Sequence, residues 1–414
     1  MHSDQFKKFS LHQSILQALF DERYQEPTPV QRAAIPEVLA GKDLLVTAQT
    51  GTGKTAAFSL PILHLLNERP RQKRPCALIL APTRELALQI NSSLHTYGRY
   101  LPLRTAVVLG GVSAVPQIKA LKESPDILVA TPGRLIDLIN QGHVRLDHIE
   151  MFVLDEADRM LDMGFINDVR RIVSLLPRKR QTLLFSATIS PEIAELASCL
   201  LNDPSKVEIA PSATVAENIE QKVLFVDHTD KRDLLNTILQ DGSVRRALVF
   251  ARTKHRADRL TRQLLSQGIS ADVIHSNKSQ GERQRALSAF DSGLIKVLVG
   301  TDIVARGIDV EGISHVINYE MPNDPESYVH RIGRTARAGA AGIALSFCDA
   351  EELSLLQGIE KLTKSAISTF EDHPFHSTTI MALRDRMAVP NVPARFQTRR
   401  NNRQMGRPGR RAVR

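Results

Sequence analysis

The sequence predicts an α/β protein made of two tandem parallel-sheet domains joined by a short linker, with a disordered basic C-terminal tail. Three observations carry this reading: a strand, glycine-rich turn and helix start near residue 50; short apolar runs that recur ahead of helical patterns; and a pause near residue 211, after which the rhythm restarts. The runs are continuous rather than alternating, which marks strands covered on both faces and hence mostly parallel sheets between helices. With 414 residues, 42% of them hydrophobic, the chain has core enough for about two or three domains. No stretch has the apolar length a membrane span needs. The first eight residues have no apolar segment behind their charges, so no signal peptide and a cytoplasmic location are expected. Cys76, Cys199 and Cys348 are far apart in apolar segments and read as free thiols in a reducing compartment.

In the first half the runs are Leu44–Val46, Ala77–Leu80, Ala106–Leu109, Ile127–Val129, Phe152–Leu154 and Leu183–Phe185. After the first comes Ala48-Gln49-Thr50-Gly51-Thr52-Gly53-Lys54-Thr55, then an apolar helix start. A strand feeding a helix N-terminus through such a turn gathers free backbone N–H groups and the positive end of the helix dipole, an anion site. Gly51 and Gly53 let the backbone curl round a phosphate. Lys54 suits the β- and γ-phosphates and Thr55 a Mg²⁺ ion, although Ala48 stands where the G-x-x-x-x-G-K-[ST] pattern has its first glycine. Nearly every later run ends in a small or polar cluster: Pro82-Thr83-Arg84-Glu85, Gly110-Gly111, Thr131-Pro132-Gly133-Arg134, Asp155-Glu156-Ala157-Asp158 and Ser186-Ala187-Thr188. Ligands of open α/β sheets bind outside the carboxyl ends of the strands, so one edge collects the chemistry. A carboxylate at a strand end near the phosphate loop can hold Mg²⁺, the place of Asp155, and Glu156 beside it can orient or deprotonate an attacking water.

Residues 211–218 have linker composition, which puts the first domain at 1–210. The second, 219–372, carries the runs Val223–Val226, Ala247–Phe250, Val273–Ile274, Val297–Val299, Val316–Ile317 and Ile343–Phe347. From about residue 373 periodicity is lost, and residues 373–414 are expected to form the disordered tail. Nine of the 54 basic residues lie between Arg386 and Arg414 with no acid among them, leaving 45 against 45 acidic residues elsewhere. The folded body is therefore neutral, and the whole excess of +9 sits in a tail suited to polyanions.

The ordered motifs resemble the DEAD-box RNA helicases of superfamily 2, from about Phe6 to residue 350. They are Ala48–Thr55, Pro82–Leu86, Thr131–Arg134, the literal Asp155-Glu156-Ala157-Asp158, Ser186–Thr188, Thr301-Asp302 with Ala305-Arg306-Gly307-Ile308-Asp309, and His330-Arg331-Ile332-Gly333-Arg334-Thr335-Ala336-Arg337. Compact size, a short N-terminus and the arginine-rich end look most like the bacterial RhlE-type subgroup. The resemblance implies two RecA-like domains, ATP with Mg²⁺ as cofactors, and RNA as partner, bound through its backbone without sequence preference. It implies an adenine pocket in which Gln31 of Pro27-Thr28-Pro29-Val30-Gln31 reads the base edge and Phe6 stacks on it, with Arg23 in place of the usual small residue before Tyr24. It makes Arg334 and Arg337 the arginine fingers, with Ala336 where the family has glycine. It sets Gly307 and Asp309 beside the ribose and phosphates, and lets His330 couple to Ser186, Ala187 and Thr188. Thr50 and Thr52 join the phosphate loop. RNA contacts are expected from Arg84, Gly110, Gly111, Thr131 and Arg134 on one side, and Arg252, Thr253, Gln280, Arg283 and Thr301 on the other. His275-Ser276-Asn277 departs from the family's usual His-Gly. Ribosome precursors or RNA-decay machinery in a bacterial cytoplasm are expected as partners, and no membrane.

Aromatics are only 5% of the chain and tryptophan is missing, so base-stacking platforms are scarce and backbone contacts are favoured. An ATP-dependent RNA helicase, which hydrolyses ATP on RNA to part short duplexes or remodel RNA–protein complexes, is the leading reading. An RNA chaperone or annealing module dominated by the basic tail is the alternative, and a DNA translocase a distant third.

Overall fold

The computed structural model describes residues 4–49, 51–72, 74–209, 219–302, 310, 312–336 and 341–388. Its first sheet holds seven strands: β1 Leu44–Thr47, β2 Ala77–Leu80, β3 Thr105–Val108, β4 Ile127–Ala130, β5 Met151–Leu154, β6 Gln181–Ser186 and β7 Ser205–Glu208, in the order β3-β4-β2-β5-β6-β1-β7. The second also holds seven: β8 Ile219–Phe225, β9 Ala247–Phe250, β10 Ala271–Ile274, β11 Val297–Gly300, β12 His315–Asn318, β13 Gly342–Cys348 and β14 Ser368–Thr369, in the order β10-β11-β9-β12-β13-β8-β14. Every pairing is parallel. These are the two tandem RecA-like domains.

The continuous apolar runs have a direct cause. In β2, Ala77 and Ile79 enter the core on one face while Leu78 and Leu80 enter the core on the other. β9 divides likewise, Ala247 and Val249 against Leu248 and Phe250. A side chain that alternates between two dry faces must be apolar at every position, and each such Leu, Val or Phe contributes about 1.5–3 kcal/mol.

Two strands lie beyond the expected runs. β7, Ser-Lys-Val-Glu, is an edge strand with only Val207 buried, and β14 is two residues long. A tail beginning at residue 373 also needs correcting. Residues 378–388 form a helix on β8, its Ile380 2% exposed within the core. Ser377 N–H donates to Phe225 O (2.9 Å), and Arg384 pairs with Glu360 (2.6 Å) while lying over the Phe225 ring. One buried isoleucine and one clamped arginine hold it, too faint a pattern to read as amphipathic. Residues 389–414 lie outside the described residues, as does the linker.

The second domain is also fixed by a buried charge. Lys231 is fully buried, with Nζ 2.9 Å from Asp349 and 2.5 Å from Glu352. Glu352 in turn accepts from Arg252 (2.8 Å) and from Met321 N–H (3.1 Å). Lys231→Ala leaves two buried carboxylates without their shared cation, and it should cost about 3–5 kcal/mol, read as a fall in the urea midpoint of the second domain.

Candidate active site

The phosphate loop joins β1 to the helix Lys54–Asn67. Gly51 and Gly53 have φ of 87° and 89°, a region closed to most side chains. Gly53 caps the helix without a side-chain partner, leaving first-turn N–H groups for an anion. Lys54 is 6% exposed and its Nζ donates to Ala48 O (2.9 Å), while Thr52 Oγ1 donates to Gln49 O (2.8 Å). Thr55 follows in the first turn, and Thr50 lies outside the described residues.

Gln31 braces this loop. Its Nε2 donates to Gly53 O (3.1 Å) and its Oε1 accepts from Thr28 N–H (3.0 Å), within a capping box that starts the helix Pro29–Leu39. A Cβ on Gly53 would sit 2.5 Å from Gln31 Nε2. The amide assigned to an adenine edge thus keeps one hydrogen for a base. Phe6 is fully buried, edge-on to Phe9 and Tyr24, so no face of its ring is open for stacking. Arg23 takes φ 59°, the left-handed conformation that a small residue would occupy with less strain.

β5 delivers Asp155 and Glu156, 2% and 7% exposed. Asp155 Oδ1 accepts from Glu156 N–H (3.0 Å), and burial pushes its carboxyl up to about 7, against the pull of Lys54. Burial acts on Glu156 in the same sense, yet Arg159, Lys54 and Arg334 together hold it below the usual range. Arg159 Nη1 is 2.8 Å from Glu156 Oε2. Asp158 holds the next strand: its Oδ2 accepts from Ala187 N–H and Thr188 N–H (both 2.9 Å). Ser186 Oγ donates to Thr188 O (2.7 Å). Asp158 and Arg159 are site residues that sequence reading missed, though Asp158 stands in the very tetrapeptide that raised suspicion.

In the second domain the helix Pro325–Ile332 carries a fully buried arginine that was not singled out. Arg331 grips Asp302 through two bonds (2.5 and 2.7 Å), donates to Asn318 and to Glu320 O, and lies over the Phe250 ring. Arg334 follows, 3% exposed, its Nε donating to His330 O (3.1 Å). Its positive charge acts on Glu156 in the same direction as Arg159 and Lys54, lowering that carboxyl. His330 is half-buried on the same helix. Ala336 adopts φ 56°, and a Cβ on Gly342 would lie 2.2 Å from Thr335 Oγ1, so this turn needs the glycine beneath it. Arg337, Gly307 and Asp309 lie outside the described residues.

The remaining predicted contacts collect on the other half of each sheet. Arg84, Gly110, Gly111, Thr131 and Arg134 follow β2, β3 and β4, whereas the phosphate loop and Asp155 follow β1 and β5, and Ser186 ends β6. Arg84's guanidinium covers Gly111, Thr131 Oγ1 accepts from Gly110 N–H (3.4 Å), and Arg134 donates to Val112 O (3.0 Å). Arg252 and Thr253 follow β9, and Thr301 follows β11. Gln280 and Arg283, which were grouped with these, are turned to the first domain instead: Gln280 Nε2 donates to Glu85 Oε1 (3.1 Å) and Arg283 Nη2 lies 2.6 Å from Glu85 Oε2. All three are buried, so Glu85 is the first domain's half of a clasp across the cleft.

Fold and site together define a nucleoside-triphosphate-driven clamp whose catalytic residues are split between two RecA-like domains. The DEAD/DEAH box helicase family matches residues 28–196 and the helicase conserved C-terminal domain matches residues 230–339. The DEAD-box ATP-dependent RNA helicase CshA of Geobacillus kaustophilus is 44% identical, the match covering 87% of this chain and 76% of that protein. CshA of Bacillus subtilis is 42% identical over 89% of this chain and 74% of its own length. Dbp5 of S. cerevisiae bound to RNA and ADP BeF3 superposes with a TM-score of 0.80 at 31% identity, covering 88% of this chain and 95% of the other. The chain belongs to the DEAD-box ATP-dependent RNA helicases, and its reaction is RNA-dependent ATP hydrolysis. The CshA relatives do not carry the narrower RhlE-type likeness.

Two outcomes follow from this geometry. Glu85→Ala strands Arg283 and Gln280 at the interface, a loss of about 3 kcal/mol from the closed arrangement. RNA-stimulated ATPase should therefore fall roughly a hundredfold while nucleotide affinity of the first domain is unchanged. At Ala336, the left-handed backbone costs alanine about 1 kcal/mol, but glycine loses about as much in chain entropy. Ala336→Gly should then shift thermal stability by less than ~0.5 kcal/mol, whereas β-branched Ala336→Val should lower both melting temperature and turnover.

Proposed function

We propose that the chain parts short RNA duplexes locally, or remodels RNA–protein complexes, by closing a two-state cleft on ATP and RNA together. The observation that carries this reading is the buried clasp across the cleft, Glu85 of the first domain held by Gln280 (3.1 Å) and Arg283 (2.6 Å) of the second, with Arg334 of the second domain adding to the charge that lowers Glu156. ATP joins Lys54 to the Arg334 side, and RNA joins the two opposite lips, so each ligand favours the closed state and therefore the other. Arg84, Gly110, Gly111, Thr131 and Arg134 face RNA phosphates on one lip, with Arg252, Thr253 and Thr301 on the other. A strand bent to follow both lips cannot stay paired, and loss of the γ-phosphate releases it.

Mg²⁺ suits the donor set. Thr55 and the buried Asp155 offer two hard oxygens, which leaves the remaining positions to water and phosphate as this ion prefers. When bound, it neutralises charge on the phosphates. Glu156 is held ionised by three cations, so it serves better to orient water than to take a full proton. Asp158 fixes Ser186, Ala187 and Thr188 next to it, which supports a link from the phosphate side to the His330 helix of the other domain. The likeness to Dbp5 bound to RNA and ADP BeF3 supports the closed form as the RNA-holding one. Bacterial cytoplasm as location, and ribosome precursors or decay machinery as partners, extend the same reading.

Glu156→Gln tests the assignment: it should keep ATP and RNA binding and abolish turnover. Wild-type ATPase in that variant would remove Glu156 from the mechanism.

A further inference from the structure

The helix Lys254–Ser266 opens with its charge the wrong way round. Its first turn holds Lys254, His255 and Arg256 and no acid, so three basic residues crowd the positive end of its own dipole. Three other helices of this domain have an acid in the first turn, Asp233, Glu282 and Glu326, and the helices Leu353–Thr363 and Thr378–Ala388, which lack one, carry no base there either. Lys254 finds Asn277 (3.0 Å) and Arg256 pairs with Glu320, but the outward residues fare differently. His255, Arg259 and Arg262 are exposed and share one face through spacings of four and three. The helix has one acid, Asp258, which is taken by His275 (3.0 Å) and Lys278 (3.2 Å). Among the described residues Arg259 makes no ion pair, and Arg262 donates only to Asp258 O. Several exposed arginines elsewhere meet acids: Arg71 with Asp126, Arg74 with Asp147, Arg170 with Glu195.

The placement gives this unbalanced charge a direction. The helix starts at Thr253, on the lip after β9, and runs back over β11 and β10, the edge strand of the sheet. From Thr253 to Arg262 it spans about 13 Å, room for roughly four phosphates of a stacked strand. We propose that the outward face of this helix, His255 with Arg259 and Arg262, is a track for the phosphate backbone of RNA that extends beyond the cleft. The track reads no sequence, because it offers charge without a fixed acceptor pattern for bases. It rests on the proposed engagement of RNA at Arg252 and Thr253.

The test uses the full chain, an RNA of about 6 nucleotides confined to the cleft, and one of about 40. For Arg259→Gln with Arg262→Gln, the long RNA needed for half-maximal ATPase should rise about tenfold, and the log–log salt slope should fall by about 1.4. The short RNA's half-maximal concentration and the maximal rate should stay unchanged. A control losing the same charge at the exposed Arg178 and Lys179 should leave all values unchanged. An equal effect on both RNAs, an equal effect of the control, or no effect overturns the track. Failure of the parent chain to respond to either RNA overturns the lip assignment as well.

Discussion

A carboxylate taken out of water must be met by positive charge, and Glu156 is met from two directions at once. Arg159 and Lys54 belong to its own domain; Arg334 arrives from the other. Burial alone would neutralise the group, and the three cations keep it charged. Part of the charge that keeps this carboxylate ionised therefore comes from the other domain, which couples the electrostatics of the site to the position of the cleft. Glu85 repeats the arrangement on a smaller scale, one acid of the first domain held by Gln280 and Arg283 of the second.

Parallel sheets make such a division of labour simple. All strands point the same way, so every carboxyl end opens on one edge, and the strand order decides which loops are neighbours. In the first sheet β3, β4 and β2 present one set of loops, and β5, β6 and β1 the other. The second sheet has the corresponding order, with β10, β11 and β9 on one side of β12. Nucleotide and polynucleotide can thus occupy two ends of one seam without competing for side chains.

Much of this was legible because parallel strands buried on both faces cannot hide: each of the twelve apolar runs marks a strand, with only the runs ending at Leu109 and Val226 passing the strand end by one residue. The phosphate loop and Asp155-Glu156 were equally plain, since glycines with a following lysine, and acids at a strand end, are chemistry written locally. What escaped was written at a distance. Nothing near Glu85 in the chain announces Arg283, almost two hundred residues on, and Arg331 reads as one more basic residue until Asp302, Asn318 and Glu320 close round it. Phe6 illustrates the reverse case. The resemblance sets it against a base, while packing has drawn the ring among Phe9 and Tyr24. β7 and the helix 378–388 were invisible for a simpler reason: each buries too little to leave a period.

That last helix has a mechanical meaning. It is rooted on β8, near β14, at the far side of the sheet from β10, and six strand spacings of about 4.8 Å put nearly 30 Å between those edges. The arginine-rich end of the chain therefore departs from the second lobe rather than from the phosphate-loop lobe. Under the proposed opening and closing of the cleft, a polyanion held by that end would be tethered to this lobe, like freight on a tow-line.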